Sequence, residues 1–281
     1  MIRRRRAKKR RRARRIFLLI VVLAILEICD SNIRITTDEY NIASAKIPAE
    51  LSSLRIVQLS DLHAAFDGRM NYLVSKVEET RPDIIAVTGD LIDDASQLTY
   101  VSELVPQLTK IAPVYYVTGN HEWATGVIHE LFAMLTDMGV NVLRNDYDLV
   151  KRGGAEIILA GIDDPNGPAD MEKPAEFVNR VRSEAGDKFL LLLAHRNDWQ
   201  EKYPTLDVDC VLSGHAHGGL VRLPFTDGLV STRKELFPSY TSGLYSENGT
   251  DLIVSRGLGN TDGTFRLFNN PHIPIIILDK K

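Results

Sequence analysis

Five short polar motifs constrain this chain more than any other feature of its sequence. They are Asp61-Leu62-His63, Gly89-Asp90, Gly119-Asn120-His121-Glu122, Ala194-His195 and Gly214-His215-Ala216-His217. Nearly all of them come directly after an apolar run, which places their polar side chains at the carboxyl ends of predicted strands. Open α/β sheets build their sites at that edge. The sequence therefore predicts an α/β fold with imidazole, carboxylate and amide groups gathered at one edge.

The segments between the motifs predict the order of strands and helices. Apolar runs predict strands at 54–59, 83–88 and 113–117, and helical spacing predicts helices at 70–79, 98–110 and about 125–138. The pattern then changes to short strands at 140–143, 147–150 and 156–160, followed by a helix at 173–184 and by strands at 188–193, 208–212 and within 219–281. This mixture of parallel units and a later meander predicts two packed sheets with helices outside.

The N-terminal segment differs in composition from the rest of the chain. Eleven of the 34 Lys and Arg residues lie in the basic segment 1–15, and an apolar stretch, 16–28, follows it. This is the pattern of a signal anchor or a secretory signal peptide, and the positive-inside rule places residues 1–15 in the cytoplasm. The stretch is short for a spanning helix, so an uncleaved anchor and a cleaved signal peptide both remain open. We expect residues 29–53 to be a lead-in with an edge strand, at 32–35 or 40–43.

Charge and cysteine content exclude several classes of site. The chain after residue 15 contains 23 basic and 37 acidic residues and carries a charge of about −14. No nucleic-acid partner is therefore expected. Cys29 and Cys210 are too few for a cysteine-based metal site, and no disulfide is expected. The sequence contains neither a Gly-x-Ser-x-Gly nucleophile motif nor a Gly-Lys-Ser/Thr phosphate loop.

The residue types in the five motifs suit metal chemistry on phosphate. Carboxylates, neutral imidazoles and an amide oxygen favour Mn, Fe, Zn or Co over Ca or Mg alone. One carboxylate can bridge two such ions, and two neighbouring ions can clamp an in-line phosphoryl displacement. Residues of these types are therefore suited to holding divalent ions that act on a phosphoester.

Together and in this order, the motifs resemble the signature of the calcineurin-like metallophosphoesterase superfamily, and the resemblance covers a domain at 54–281. It implies a four-layer α/β/β/α sandwich of two mixed sheets flanked by helices. It also implies one metal held by Asp61, His63 and His217, a second held by Asn120, His195 and His215, and Asp90 bridging the two. His121 would be a catalytic histidine that contacts phosphate without binding metal and assists the leaving group, while a bridging hydroxide attacks phosphorus.

The N-terminus and the Leu-Ser-Asp-Leu-His sequence most resemble a membrane-associated bacterial branch of that superfamily. Some of its members cleave model phosphodiesters, and others act on the pyrophosphate of UDP-2,3-diacylglucosamine. The resemblance implies a phosphodiester or pyrophosphate substrate and a membrane-anchored domain outside the cytoplasm, secreted if the signal is cleaved. A phosphomonoesterase and a noncatalytic envelope-binding module remain alternatives. The tail 256–271 also resembles this branch, although His272 replaces the expected glutamate.

Several other polar and aromatic residues have predicted structural roles. We expect Glu122 to support a ligand or a helix N-terminus, the carboxylates of the loops to serve as turn and capping groups, the tryptophans to pack, and His129 to lie at the surface. For Arg196, phosphate contact and a structural salt bridge are both open. The loop carboxylates and the tryptophans are Asp93, Asp94, Asp163, Asp164, Trp123 and Trp199.

Overall fold

Seven helices and fourteen strands are defined in the part of the chain that this computed structural model describes. It describes residues 2–169, 171–223, 226–231, 235–260 and 264–281, and residues 2–8 by their backbone alone. The helices are α1 (Ile2–Ile33), α2 (Met70–Glu79), α3 (Leu98–Ile111), α4 (Asn120–Ala124), α5 (Ile128–Asp137), α6 (Pro174–Ala185) and α7 (Trp199–Lys202). The strands are β1 (Thr36–Ser44), β2 (Leu54–Leu59), β3 (Ile84–Thr88), β4 (Val114–Val117), β5 (Asn141–Val142), β6 (Asp146–Arg152), β7 (Ala155–Gly161), β8 (Leu190–Leu193), β9 (Cys210–Ser213), β10 (Val221–Arg222), β11 (Gly228–Val230), β12 (Gly243–Glu247), β13 (Thr250–Val254) and β14 (His272–Lys280).

The strands form two six-stranded mixed sheets and one small hairpin. The first sheet has the order β1-β14-β2-β3-β4-β5, and β2 to β5 run parallel. The second has the order β12-β13-β9-β8-β7-β6, in which β13, β9, β8 and β7 run parallel. Strands β10 and β11 pair antiparallel outside both sheets. In each sheet, neighbouring parallel strands end at the same edge.

Apolar side chains alternate between two faces of each sheet and form three core layers. In β2, Ile56 packs between the two sheets, while Val57 packs against α2, α3 and α5. In the second sheet, Leu191 faces the first sheet, while Leu190 packs with Phe177 of α6. Because both faces of the central strands are buried, their sequences are nearly continuous apolar runs. The result is the expected four-layer α/β/β/α sandwich.

Most predicted elements are confirmed, and two are wrong in detail. The helix predicted at about 125–138 begins later, as α5 at Ile128, because Gly126 adopts a φ of +75° before it, and the short helix α4 that precedes this glycine was not predicted. The edge strand is β1, which contains the predicted 40–43 segment and pairs along its length with β14. The alternative at 32–35 is wrong, because α1 extends to Ile33.

Helix α1 includes a segment with the length and composition of a membrane span. Within Lys9–Ile33, the most apolar stretch of 18 residues has a mean hydropathy of 2.3, and only 6% of that stretch is buried against the protein. Large apolar side chains from Ile16 to Ile28 are exposed. The last turn of α1 contacts the folded domain, through residues that include the fully buried Ser31.

Candidate metal centre

The carboxyl ends of both sheets carry the side chains of the five motifs. In the first sheet, the motif residues follow three neighbouring parallel strands, and in the second they follow two. The order is Asp61 and His63 after β2, Asp90 after β3, Asn120 and His121 after β4, His195 after β8, and His215 and His217 after β9. The centre therefore lies where the edges of the two sheets meet.

Five of these residues have left-handed backbone conformations. The φ angles are +51° at Asp61, +47° at His63, +54° at Asp90, +65° at His215 and +48° at His217. Non-glycine residues rarely adopt such angles, and each costs on the order of 1–3 kcal/mol unless the surrounding structure imposes it. These sharp turns direct side chains from strand ends back toward one point, which is typical of functional sites.

Three groups of ligand-type atoms occur among the described residues, and two of them share Asp90. In the first group, Asp61, His63, Asp90 and His217 place their atoms within 4.8 Å of one another, with His217 Nε2 3.4 Å from Asp61 Oδ1. In the second, His195 Nε2 lies 3.1 Å from Asp90 Oδ2 and 3.2 Å from His215 Nδ1. Asp90 Oδ2 also lies 3.9 Å from His63 Nε2. The arrangement therefore joins the two groups at one carboxylate.

Asn120 adds an acceptor that has no partner among the described residues. Its Oδ1 atom is buried and receives no hydrogen bond. A buried acceptor without a donor is costly, and a cation would satisfy it. The unpaired amide oxygen and the converging imidazole nitrogens fit the divalent ions predicted from the sequence.

Burial and neighbouring charges set the protonation of the imidazoles. Burial lowers the pKa of His217 to about 4, and burial together with His195 and Arg196 lowers the pKa of His215 to about 2. Both side chains are therefore neutral at neutral pH, which is the form that binds metal. Burial opposes charge on His195 as well, but Asp90 raises its pKa to about 10. A cation bound between His195 and Asp90 must displace that proton.

Glu122 supports the turn that carries Asp90. Its fully buried carboxylate accepts hydrogen bonds from the backbone nitrogens of Asp90 at 3.1 Å, Leu91 at 2.5 Å and Gly119 at 2.8 Å. Burial, with Asp90 nearby, raises the pKa of Glu122 to about 7. This agrees with the predicted supporting role.

Asp93 links two histidines of the centre, a role that the sequence interpretation missed. Its Oδ1 lies 2.6 Å from Nδ1 of His63 and 2.7 Å from Nδ1 of His121. The expectation of a loop or capping role is therefore incomplete for Asp93, and it is confirmed for Asp94, which accepts from Ser96 N at 2.7 Å. The only available signal was its position three residues after Asp90.

His121 lies beside the shared carboxylate and keeps access to solvent. Its backbone nitrogen donates to Asp90 Oδ1 at 2.9 Å, and its Nε2 is 3.9 Å from Asp90 Oδ2. The imidazole is 32% exposed. The hydrogen bond to Asp93 raises its pKa against the effect of burial, so the protonated form is favoured.

Arg196 forms a two-pronged ion pair at the second group of ligand atoms. Its Nε and Nη2 donate to the two oxygens of the buried Asp164 at 2.6 and 3.0 Å, and its Nη1 lies 2.9 Å from His215 Nε2. The buried Asp163 accepts from Thr118 Oγ1 at 3.0 Å. The prediction that these aspartates act as turn and capping groups is therefore wrong for Asp163 and incomplete for Asp164, which also accepts from Asn166 N.

The remaining expectations concern aromatic and histidine side chains. Trp199 is buried beside Tyr203, and Trp123 packs against Phe132 while donating to Thr118 Oγ1, so the packing predictions are confirmed. His129 is exposed, as predicted. His272, whose exposure the sequence left open, is fully buried 3.1 Å from Asp38.

The C-terminal tail packs under the first group of ligand atoms. Gly259 N donates to Asp61 O at 2.6 Å, and Gly259 O lies 3.3 Å from His217 Nδ1. The buried guanidinium of Arg266 donates to the same Gly259 carbonyl at 2.6 Å, and Asn269 Nδ2 donates to His217 O at 2.7 Å. The described part of the tail therefore holds two ligand-bearing turns in place, while 261–263 lie outside the described residues.

Two cavities adjoin the centre. A cavity of about 320 Å³ lies beside His215 and is lined on its far side by segment 238–241. A second, of about 210 Å³, extends from His195 and Arg196 to Pro165, Met171 and Trp199.

Comparisons with known proteins agree with this geometry. Residues 54–219 match the family described as calcineurin-like phosphoesterase. The chain is 31% identical to the metallophosphoesterase YkuE of Bacillus subtilis, over 87% of this chain and 85% of that protein. It is 30% identical to a transmembrane protein with metallophosphoesterase domain of Danio rerio, over 92% of this chain but 60% of that protein. The crystal structure of TT1561 of Thermus thermophilus superposes with a TM-score of 0.50 at 14% identity, covering 73% of this chain and 90% of that one.

Proposed function

Since the chain belongs to the calcineurin-like phosphoesterase family and is a phosphoester hydrolase, we propose that it cleaves phosphodiester or pyrophosphate bonds at a centre of two divalent ions. The observation that carries the proposal is the pair of ligand groups joined at Asp90 Oδ2. In this proposal Asp61, His63 and His217 hold one ion. Asn120, His195 and His215 hold the other, and Asp90 contacts both.

The donor set favours Mn, Fe, Zn or Co, because imidazole and carboxylate ligands together suit borderline divalent cations. When bound, such a pair of ions supplies an activated water and neutralises charge on the phosphate oxygens. The residues of the chain fix where that chemistry takes place. The sharp turns at Asp61, His63 and Asp90 hold the ligand atoms in position, and Glu122 fixes the turn that carries the shared carboxylate.

His121 is the proposed proton donor to the leaving group. Asp93 accepts from its Nδ1, which leaves Nε2 free to face the reacting phosphate. As the bond between phosphorus and the leaving oxygen breaks, the Nε2 proton passes to that oxygen and the imidazole becomes neutral. Its raised pKa favours the protonated form that this step requires.

The preference for a phosphodiester or pyrophosphate over a monoester rests on the resemblance of the N-terminus and of the Leu-Ser-Asp-Leu-His sequence to the membrane-associated branch. Arg196, the guanidinium beside the second group of ligand atoms, is paired with Asp164 and does not by itself select the charge of the substrate.

We further propose that α1 anchors the chain in a membrane and that the catalytic domain lies outside the cytoplasm. The exposed apolar segment of α1 and the basic residues before it support this arrangement, as does the transmembrane protein of Danio rerio among the relatives. A nucleotide-linked or membrane-associated lipid would be a suitable phosphoester substrate there.

Hydrolysis of bis-p-nitrophenyl phosphate and p-nitrophenyl phosphate by the full chain in detergent tests the proposal, with bound metal assayed in parallel. Wild type is compared with Asp90→Asn, His121→Ala and the exposed control His129→Ala. We expect two ions per chain and a diesterase activity that the first two variants lose and the control keeps. Faster turnover of the monoester would reverse the substrate preference. A folded chain that neither binds metal nor cleaves either ester after reconstitution would identify a noncatalytic module.

A further inference from the structure

We propose that the catalytic domain lies on the lipid bilayer through an exposed apolar surface next to the end of α1. This surface, the apolar rim, consists of Leu223, Leu236, Phe237, Phe265 and Phe268. The inference rests on the membrane anchoring proposed above and goes beyond it, because a tether alone leaves the orientation of the domain undetermined.

The rim contains most of the exposed large apolar side chains of the described domain. Phe237 is 75% exposed and Phe265 is 55% exposed. Outside α1, Leu244 is the one other exposed large apolar residue in the described part of the chain. Scattered apolar residues on a surface are ordinary, but their concentration in one region is typical of an interaction site.

The last turn of α1 holds the segment that carries two of the rim phenylalanines. Asn32 Nδ2 donates to Arg266 O at 2.9 Å, and Asn32 Oδ1 accepts from Arg266 N at 3.1 Å. Asn270 Nδ2 donates to Asp30 O at 2.8 Å. Phe265 is adjacent to Arg266, and Phe268 lies two residues after it. The helix end and this part of the rim are therefore joined by hydrogen bonds rather than by a loose linker.

The distance along α1 places these phenylalanines at the membrane surface. Asn32 follows the last residue of the apolar stretch, Ile28, by four positions, which corresponds to about 6 Å of helix. The headgroup layer on each side of a bilayer is roughly 5–8 Å thick. The Asn32–Arg266 contact therefore lies at headgroup depth when residues 16–28 occupy the hydrocarbon region.

Backbone pairing connects the rest of the rim to the same place. Leu267 pairs with Leu220 and Arg222 at the start of the small hairpin, next to Leu223. On the other strand of the hairpin, Phe237 N donates to Leu229 O at 2.9 Å, and Leu236 forms a bridge with Val230. The five side chains thus lie on one hydrogen-bonded unit that begins at the end of α1.

The bilayer fits this surface better than a protein partner does. Hydrogen bonds from Asn32 to Arg266 and from Asn270 to Asp30 join the rim segment to the end of α1, so a membrane that holds the helix lies close to Phe265 and Phe268. The segment that carries Leu236 and Phe237 continues into 238–241, the wall of the cavity beside His215. Docking on the bilayer would thus open that cavity toward phosphoesters at headgroup depth.

Fluorescence quenching in reconstituted vesicles tests the proposal on the full chain. Phe237→Trp and Phe265→Trp introduce reporters into the rim, and Lys151→Trp is the control. Lys151 is 63% exposed on β6 opposite Glu156, at the amino-terminal end of β7 and so away from the metal centre. The reporters are measured in lipids brominated near the top of the acyl chains, against a wild-type background from Trp123 and Trp199.

We expect brominated lipid to quench the added emission at both rim positions by more than half and to leave the Lys151→Trp emission unchanged. The proposal would be overturned if aqueous acrylamide quenched the emission of the rim reporters and brominated lipid quenched it no more than it quenched the emission of the Lys151→Trp control. Protection from both quenchers would indicate a protein partner on the rim and would also overturn it. The measurement requires no turnover, so its result is independent of whether the hydrolysis test succeeds.

Discussion

Replacement of Glu122 by glutamine tests how the metal centre is supported without touching a proposed ligand. The carboxylate accepts three backbone hydrogen bonds, two at Oε2 from Asp90 N and Gly119 N and one at Oε1 from Leu91 N. A glutamine can keep its oxygen toward two of these donors. Its amide nitrogen then faces the third, so at least one buried backbone N–H loses its acceptor.

Two effects of opposite sign act on the stability of the Glu122→Gln variant. An unsatisfied buried donor costs about 1–3 kcal/mol. The substitution also removes a buried negative charge close to Asp90. That charge is unfavourable, because burial and Asp90 raise the pKa of Glu122. Because the second effect offsets part of the first, we expect the metal-free unfolding free energy to fall by no more than about 1 kcal/mol.

For metal affinity, the two effects of the substitution act in the same direction. The turn that carries Asp90 loses a support, and the centre loses negative charge, so both changes weaken cation binding. Loss of a residue that orients a ligand lowers metal affinity about 10–100-fold, or about 1.4–2.7 kcal/mol. The variant should therefore lose more metal affinity than stability.

Calorimetric titration with Mn²⁺ and urea unfolding of the metal-free chain measure the two quantities separately. Glu130→Gln is the matched control, because Glu130 is exposed on α5 and is expected to change neither. An affinity of Glu122→Gln within about twofold of wild type would refute the reasoning. So would a loss of stability larger than the loss of binding free energy.

Three further predictions concern the same centre. Asp93→Asn removes the carboxylate that holds two imidazoles and should lower kcat about 10–100-fold, whereas Asp94→Asn should leave kcat unchanged. Steady-state kinetics on the diester measure kcat for both variants, and a wild-type kcat in Asp93→Asn would disprove the role of Asp93. Gly119→Ala places a methyl group onto the carboxylate of Asp90 and should abolish tight metal binding in titrations, while Gly68→Ala, with open space around it, should not. Saturating Mn²⁺, at about 100 times its dissociation constant, should raise the unfolding free energy by about 2.7 kcal/mol for each ion bound. An unchanged thermal midpoint on adding metal or chelator would argue against a preformed centre.

Local patterning predicted the elements of this fold that depend on neighbouring residues. Helix α2 occupies the predicted 70–79, and β2 the predicted 54–59, because apolar spacing reports directly which faces are buried. The late start of α5 at Ile128 was missed, since a single glycine at a positive φ has little effect on an otherwise helical apolar pattern. Neighbouring parallel strands end at the same edge of a sheet, so the motif residues that follow them lie close together, as the sequence predicted.

Contacts between distant segments were harder to predict. Asp93 and Asp94 are adjacent acidic residues in one loop, and only the folded position of His121 and His63 distinguishes them. Asp164 resembles a turn residue and does cap a turn, but its partner Arg196 follows a different strand, β8. Arg266 and Gly259 both lie in the tail that resembles the membrane-associated branch, but the resemblance did not indicate the hydrogen bond between them. Such roles depend on tertiary packing, and no local pattern reports them.

The position of the ligands across two sheets explains why the centre needs so much support from the rest of the chain. Asp61, His63 and Asp90 belong to the first sheet, whereas His195, His215 and His217 belong to the second, and an apolar layer rather than a backbone hydrogen-bond ladder joins the sheets. Apolar contacts are nondirectional, so they do not fix the relative position of two strand ends to a fraction of an ångström. Directional bonds at the edge supply that precision: His215 N donates to Asp61 Oδ1 at 3.0 Å, and His195 Nδ1 lies 2.8 Å from Thr88 O. These bonds cross from one sheet to the other directly beside the ligand atoms, so the shape of the centre depends on the junction between the sheets and not on either sheet alone.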